Sequence, residues 1–195
     1  SSRIDTGVSA VMVAARLVPW LADTMAENRR RADPDSPFLP PYTTLHCGMI
    51  SGGVAANVVA AACSFVTDIR AIPEDDPVAF RDRFAQFIRT EIEPDMKAIS
   101  PAAGVEIVQR SDVPALAREP GGEAERLVRA LIGNASPEVV SYATEAGIFQ
   151  RAGWSTVVVG PGDIAQAHQA DEYLAVSQLD AGERFMTGLI ARLAS

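Results

Sequence analysis

The spacing of the apolar residues changes twice within the first hundred residues, and no other feature of the sequence constrains the fold as strongly. Between residues 6 and 27 apolar side chains recur every three or four positions, which is the spacing of an amphipathic helix. Between residues 58 and 72 they alternate with polar residues, as in a strand that buries one face. Helical spacing returns behind Asp76 and Pro77, a capping residue followed by proline at the first helical position.

Two further segments complete the pattern of the first half of the chain. Residues 42–50 form a β-prone run ahead of Gly52 and Gly53, and residues 105–110 form a later strand candidate. The order helix, strand, strand, helix and strand is that of a ferredoxin-like βαββαβ unit that lacks its first strand.

The stretch 111–123 is rich in proline, glycine and charged residues, which is typical of a domain boundary. We therefore predict one domain over residues 1–113 and a second over residues 114–195. In the second, the apolar run 155–159 is flanked by Trp154 and Gly160, and it is typical of a strand buried on both faces of an α/β sheet. Helical segments are expected over residues 123–132, 145–152 and 177–193. The predicted fold class is α/β in the broad sense (α+β), with a second region too small to be a whole α/β layer structure.

The charge balance excludes several classes of partner. The 195 residues include 17 Lys and Arg against 25 Asp and Glu, for a net charge of −8, and nucleic acids and anionic membranes are held mainly by clustered positive charge. We expect no nucleic-acid partner and no membrane partner. Cys47 and Cys63 stand in apolar or strand-like segments without a CxxC pair, which predicts buried thiols in a reducing, cytoplasmic protein. Whether either thiol is reactive stays open.

Histidine is scarce, and this limits the available chemistry. His168 follows the predicted buried strand and the sequence Gly160-Pro161-Gly162, and sites in open α/β sheets are built at that end of a strand. A surface or capping histidine is the alternative. His46 fits either a core position or a polar position near a substrate. The adjacent carboxylates Asp171 and Glu172 favour a turn or a helix cap over an acid/base pair.

Arg70 is the other candidate that the residues alone single out. An arginine on a strand presents a fixed guanidinium fork that suits a carboxylate. The alternative is an ion pair with Asp68, two positions away on the same face, or a solvated sheet surface. The residues alone favour the alternative.

Longer stretches of the sequence carry a resemblance to a known family. The segment STVVVGPGDIAQAHQADEY (residues 155–173), together with residues 143–146, resembles the C-terminal signature of the co-catalytic zinc amidohydrolase and peptidase family (M20), in its acetylornithine deacetylase branch. The segment FLPPYTT (residues 38–44), the glycine pair, Asn57 and the Asp68-Ile69-Arg70 sequence look like the family's inserted dimerisation domain, which has a ferredoxin-like fold.

The resemblance implies roles for individual residues. His168 matches a ligand of one of two zinc or cobalt ions, oriented by Asp171 or Glu172. Asn57 and Arg70 match residues that hold the carboxylate and the amide of the substrate. Thr144, with Glu145, matches a loop that lines the substrate pocket. The resemblance also implies a homodimer.

The resemblance further implies that the active site is incomplete here. The other metal ligands and the glutamate base lie in the family's N-terminal half, and the family usually places a histidine just before the Ser1-Ser2 pair that opens this sequence. We therefore expect the C-terminal part of a longer enzyme, inactive alone, that removes an N-acyl group from an amino acid such as N-acetylornithine, as in arginine biosynthesis. The alternatives are a desuccinylase, an aminoacylase or a carboxypeptidase of the same family, or a non-catalytic dimerisation module that binds a small carboxylate.

Overall fold

A computed structural model describes residues 6–133 and 136–194 of the chain. The expectation that concerns Ser1 and Ser2 lies outside the described residues. The chain divides into two compact units. The first runs as far as Asp112 and includes Val139–Tyr142, and the second comprises Val113–Glu138 and the residues from Ala143 onward.

The first unit combines helices with one pair of strands, and the second is helical with long irregular segments. The elements of the first unit are α1 (Ala10–Arg30), β1 (Thr44–Gly52), β2 (Cys63–Arg70), α2 (Pro77–Phe87), a π-helical turn (Ile88–Ile92) and α3 (Glu93–Ile99). Those of the second are α4 (Glu123–Ile132), α5 (Ala146–Arg151), a 3-10 turn (Ile164–Gln166) and α6 (Val176–Leu193). The α+β class is confirmed, and every predicted helix is present, with ends shifted by a few residues. Within residues 6–133 and 136–194, no helix is long and apolar enough to cross a membrane.

The predicted helix start at Asp76 is confirmed. Its Oδ1 accepts a hydrogen bond of 2.8 Å from the Val78 N–H, and Pro77 begins the helix. The π-helical turn falls where Pro94 would disturb a regular helix, since proline lacks an N–H and its ring clashes with the carbonyl four residues earlier. The carbonyl of Glu91 in this turn accepts a hydrogen bond of 2.9 Å from Arg16 on α1.

The two strands pair in antiparallel register, with Leu45 opposite Ile69 and His46 opposite Asp68. A bulge lies between Cys47 and Met49. Because neighbouring side chains on a strand point to opposite faces, the face that carries Leu45 and Ile69 packs against the helices. We call the opposite side, which carries His46, Asp68 and Arg70, the outer face.

The hydrophobic core belongs to the first unit. Trp20 bridges two groups of buried side chains, and its ring centroid lies 4.9 Å from that of Phe84. One group consists of Leu17, Phe84, Ile88, Ile92 and Met96, and the other of Leu21, Leu45 and Phe80.

A buried polar network ties the end of α1 to the residues that precede β1 and follow β2. The side-chain amide of Asn28 donates a hydrogen bond of 2.9 Å to the carbonyl of Thr43, which is fully buried. The Thr43 hydroxyl donates to the carboxylate of Asp75 and accepts a hydrogen bond of 3.2 Å from the Ile72 N–H. Because buried polar groups are costly when unpaired, this network fixes the entry into β1.

Two predicted strands are absent from the described part of the chain. Residues 105–110 and 155–159 have no ladder partner, and residues 155–159 are half-buried or exposed instead of buried on both faces. A strand requires a neighbour for its N–H and C=O groups, and the ferredoxin-like pattern lacks the first strand. The Val105 N–H donates to the Glu93 carboxylate instead, over 3.2 Å. The prediction of buried thiols is also wrong in degree, since Cys47 and Cys63 are half-buried.

Polar contacts tie α5 to the segment that precedes α4 in the second unit. The side-chain amide of Gln150 on α5 accepts from the N–H of Ala117 over 2.9 Å and donates to its carbonyl over 2.8 Å, as a strand neighbour would. No described residue of α4 or α6 is buried.

Candidate functional site

The outer face places three of the chemically relevant side chains at adjacent positions. Arg70 donates from Nε to Asp68 Oδ2 over 2.8 Å, and both side chains are exposed, at 63% and 58% of their accessible surface. His46 lies directly opposite Asp68 and is exposed, so the core alternative for this histidine is wrong. The ion pair that the residues alone favoured for Arg70 is present. Sequence reasoning missed that His46 shares this face, because the strand register was needed to show it.

Asn57 lies in the segment that connects β1 to β2, at the end of a turn closed by the Val58 N–H and the Ala55 carbonyl over 3.2 Å. Its side chain is exposed. The connection leaves β1 through Gly53, whose φ of 75° lies in the left-handed region that favours glycine. Gly52 is the last residue of β1, so the connection between the strands begins at Gly53 and spans residues 53–62.

Thr144 and Glu145 lie at the start of α5 in the second unit. The Thr144 hydroxyl accepts a hydrogen bond of 3.2 Å from the Ala146 N–H, and the Glu145 carbonyl accepts one of 2.9 Å from the Ile148 N–H. The Glu145 side chain is exposed. Both residues therefore occupy a helix start whose backbone is fixed by local bonds.

His168 is exposed and has an unusual backbone. Its φ of 59° is left-handed, which is uncommon for a residue other than glycine. The Glu172 carboxylate accepts a hydrogen bond of 2.9 Å from the His168 main-chain N–H, so it fixes this bend and not the imidazole ring. Asp171 is exposed. The Asp163 side chain caps the preceding 3-10 turn through the Ala165 N–H, over 2.8 Å.

The structure thus brings some of the predicted site residues together within each unit. Asp68, Arg70 and His46 share the outer face in the first unit, while Glu172 contacts His168 in the second. Among residues 6–133 and 136–194, no group of three His, Cys, Asp or Glu side chains could hold a metal ion. His168 is a suitable single imidazole donor, but the described residues alone do not form a metal site.

Known proteins are similar to this chain in both halves of its sequence. Residues 1–96 match the family model of the peptidase dimerisation domain of M20 enzymes. An acetylornithine deacetylase of Myxococcus xanthus is 38% identical over 188 residues, which is 96% of this chain and 47% of that protein.

Two further relatives have the same description. The acetylornithine deacetylase of Pasteurella multocida is 28% identical over 192 residues, covering 98% of this chain and 48% of that protein. The acetylornithine deacetylase of Shigella sonnei is 34% identical over 137 residues, covering 70% of this chain and 34% of that protein. The chain spans about half the length of the Myxococcus xanthus and Pasteurella multocida proteins.

Proposed function

Because residues 1–96 match the M20 dimerisation-domain model and 96% of the chain aligns with an acetylornithine deacetylase, we propose that it is the C-terminal part of a metal-dependent amidohydrolase that removes an N-acyl group from an amino acid. We propose an acetyl group as the acyl group and N-acetylornithine as the substrate, in arginine biosynthesis in the cytoplasm. The observation that carries this proposal is the 38% identity over 96% of the chain, which spans both units.

The outer face supplies the substrate's carboxylate subsite in this proposal. Arg70 is exposed, and Asp68 occupies only its Nε, so the two Nη groups are available for a bidentate pair with a carboxylate. Asn57 contributes an amide that can both donate and accept, which suits the acylated nitrogen and the carbonyl of an amide substrate. For Thr144 and Glu145, in the second unit, we propose a role in substrate binding as well.

His168 supplies one ligand to a pair of zinc or cobalt ions in this proposal, with Asp171 and Glu172 around it. A catalytic zinc ion normally takes three protein ligands, so the others come from the part of the relatives that this chain does not match. When bound, the metal ions would supply Lewis acidity at the scissile carbonyl. The left-handed backbone of His168, held by Glu172, fixes where its imidazole is presented.

The second unit supports the proposal through the apolar surface it leaves uncovered. Along α6, large apolar side chains recur at helical spacing and are more than half exposed. They are Val176, Leu179, Met186, Ile190 and Leu193. Patches of this kind mark interaction surfaces, and we propose that the remaining part of the catalytic domain covers this one. The first unit mediates a homodimer, as the name of the matching family model suggests.

The first test is the intact mass of the protein from its natural source. We expect a mass near twice the 20.7 kDa of this chain, and a dimer of that species by light scattering. A mass of 20.7 kDa for the protein from its natural source would instead favour the non-catalytic, carboxylate-binding module.

The second test is N-acetylornithine hydrolysis by the natural species and by the 195-residue chain alone. We expect turnover by the former, lost with a chelator, and none by the latter. His168→Ala should abolish turnover and lower the bound metal measured by mass spectrometry. Gln169→Ala, at the neighbouring exposed position, is the matched control and should do neither. Chelator-sensitive turnover by the chain alone would contradict the proposal.

A further inference from the structure

The proposed carboxylate subsite does not explain what the ion pair between Asp68 and Arg70 on the outer face contributes. An exposed Asp and Arg pair contributes little to folding stability, because solvent screens it and two side chains are immobilised. The ion pair instead restricts the orientation of the Arg70 guanidinium group. A free arginine samples many rotamers, whereas a bond at Nε restricts the plane of the guanidinium group.

The position of the bond decides which part of the guanidinium group stays available. Asp68 Oδ2 accepts from Nε, and no second hydrogen-bond partner of Arg70 is found among the described residues. The two Nη nitrogens, which form the end of the fork, are therefore left for a second carboxylate. The strand supports this arrangement, because Asp68 and Arg70 are two positions apart and share one face.

The neighbours of the pair on β1 reinforce the arrangement. His46 lies opposite Asp68 and Thr44 lies opposite Arg70 in the strand register, so the pair is bordered by polar side chains. On the other side of the strand, Ile69 packs into the core, which anchors the backbone between Asp68 and Arg70. The guanidinium group is thus held by a rigid strand and a short charged bond.

We infer that Asp68 is a positioning residue, which holds the Arg70 guanidinium group by Nε so that its two Nη groups receive the carboxylate of an N-acyl amino acid. Asp68 does not touch the substrate. This inference rests on the proposed function, because it requires Arg70 to bind that carboxylate.

The experiment compares two substrates in the intact enzyme that contains this chain: N-acetylornithine and its amide, which lacks the carboxylate. Arg70→Ala should raise KM for the acid by about 100-fold and leave KM for the amide within about twofold. Asp68→Asn should raise KM for the acid by about tenfold, with kcat and the amide kinetics nearly unchanged. Asp68→Glu keeps the charge but displaces the fork, and should raise KM for the acid by a smaller factor.

Asp82→Asn is the matched control. Asp82 on α2 is an exposed aspartate that accepts from Nε of the adjacent Arg81 over 3.1 Å, and it lies outside the outer face. We expect this variant to leave both substrates unchanged.

The outcomes separate the inference from the function on which it rests. If Arg70→Ala affects acid and amide equally, the carboxylate subsite is wrong and the inference fails with it. If Arg70→Ala discriminates but Asp68→Asn behaves like Asp82→Asn, the inference alone is overturned. If both Asp68 variants lose turnover of both the acid and the amide and also have a lower melting temperature, Asp68 has a structural role. That outcome would also overturn the inference.

Discussion

The two units of the chain differ in how much of their apolar surface they cover. Apart from Ala146, the buried hydrophobic residues found among the described parts of the chain all belong to the first unit. In the second unit the long helix α6 exposes apolar side chains along its length, and neither α4 nor α6 buries a residue. The comparison teaches that the first unit covers most of its large apolar side chains by itself, whereas the described residues of the second unit leave those of α6 exposed.

The physical basis of the difference is burial. Covering a large aliphatic side chain is worth about 1.5–3 kcal/mol, and this gain must offset the loss of conformational freedom on folding. The first unit makes this gain at Leu17, Ile88 and Ile92, which are almost completely buried. The hydrogen bonds of Gln150 and Glu125 in the second unit contribute much less, because water competes for them.

The largest expected effect of a single substitution is at Ile92. Ile92→Ala removes a side chain with no exposed surface, so it should lower the free energy of unfolding by about 3 kcal/mol through lost burial and a cavity. Urea denaturation followed by circular dichroism measures this change.

Ile190→Ala makes the same substitution in the second unit, where the side chain is 63% exposed. We expect a change within about 0.5 kcal/mol. Equal losses for the two variants would break the comparison, because they would show that α6 is as well packed as the core of the first unit.

A smaller loss of unfolding free energy than that of Ile92→Ala is expected for a substitution at Thr43. Thr43→Val keeps the shape of the side chain but removes the hydroxyl that serves Ile72 and Asp75, so it should cost about 1–3 kcal/mol of unfolding free energy. Thr187→Val on the exposed surface of α6 is the matched control and should change little. A neutral result at Thr43 would mean that water replaces the hydroxyl and that the network does not fix the entry into β1.

The smallest effect is a dependence on acidity. The hydrogen bond from the Lys97 side chain, then that from the Val105 N–H, holds the pKa of Glu93 below its ordinary value of 4.5. In the second unit, the hydrogen bond from Arg129 and that from the Gly121 N–H likewise lower the pKa of Glu125.

A lowered pKa in the folded state means that the unfolded chain binds more protons in this range. The stabilisation is complete above 4.5 and is lost as the pH falls through the folded pKa. Glu93→Gln should therefore make the acid limb of a plot of unfolding free energy against pH shallower. Glu125→Gln should leave that limb unchanged, because we expect α4, which has no buried residue, to unfold independently of the core of the first unit. A steeper limb for Glu93→Gln would contradict the assignment.

The sequence predicted most of what depends on local pattern. The apolar spacing predicted α1 and α6, and Asp76 with Pro77 predicted the start of α2. The alternation along β2 predicted a strand that buries one face, and in the structure that face carries Phe65 and Ile69. It failed for residues 105–110 and 155–159, because strand formation depends on a neighbouring strand that a local pattern does not reveal. Among the candidate site residues, the Arg70 pair with Asp68 followed from their spacing. The position of His46 on the outer face required the register of β1 against β2.

Hydrogen exchange of the 195-residue chain, read by mass spectrometry, tests the contrast between the units most directly. Amides in a cooperative core exchange only through its global opening, whereas poorly packed helices open locally and exchange faster. We predict that α1, β1, β2 and α2 share one slow exchange rate and that α4 and α6 exchange much faster. Protection of α6 equal to that of α1 would show that the second unit is fully packed by this chain alone, and would contradict the account.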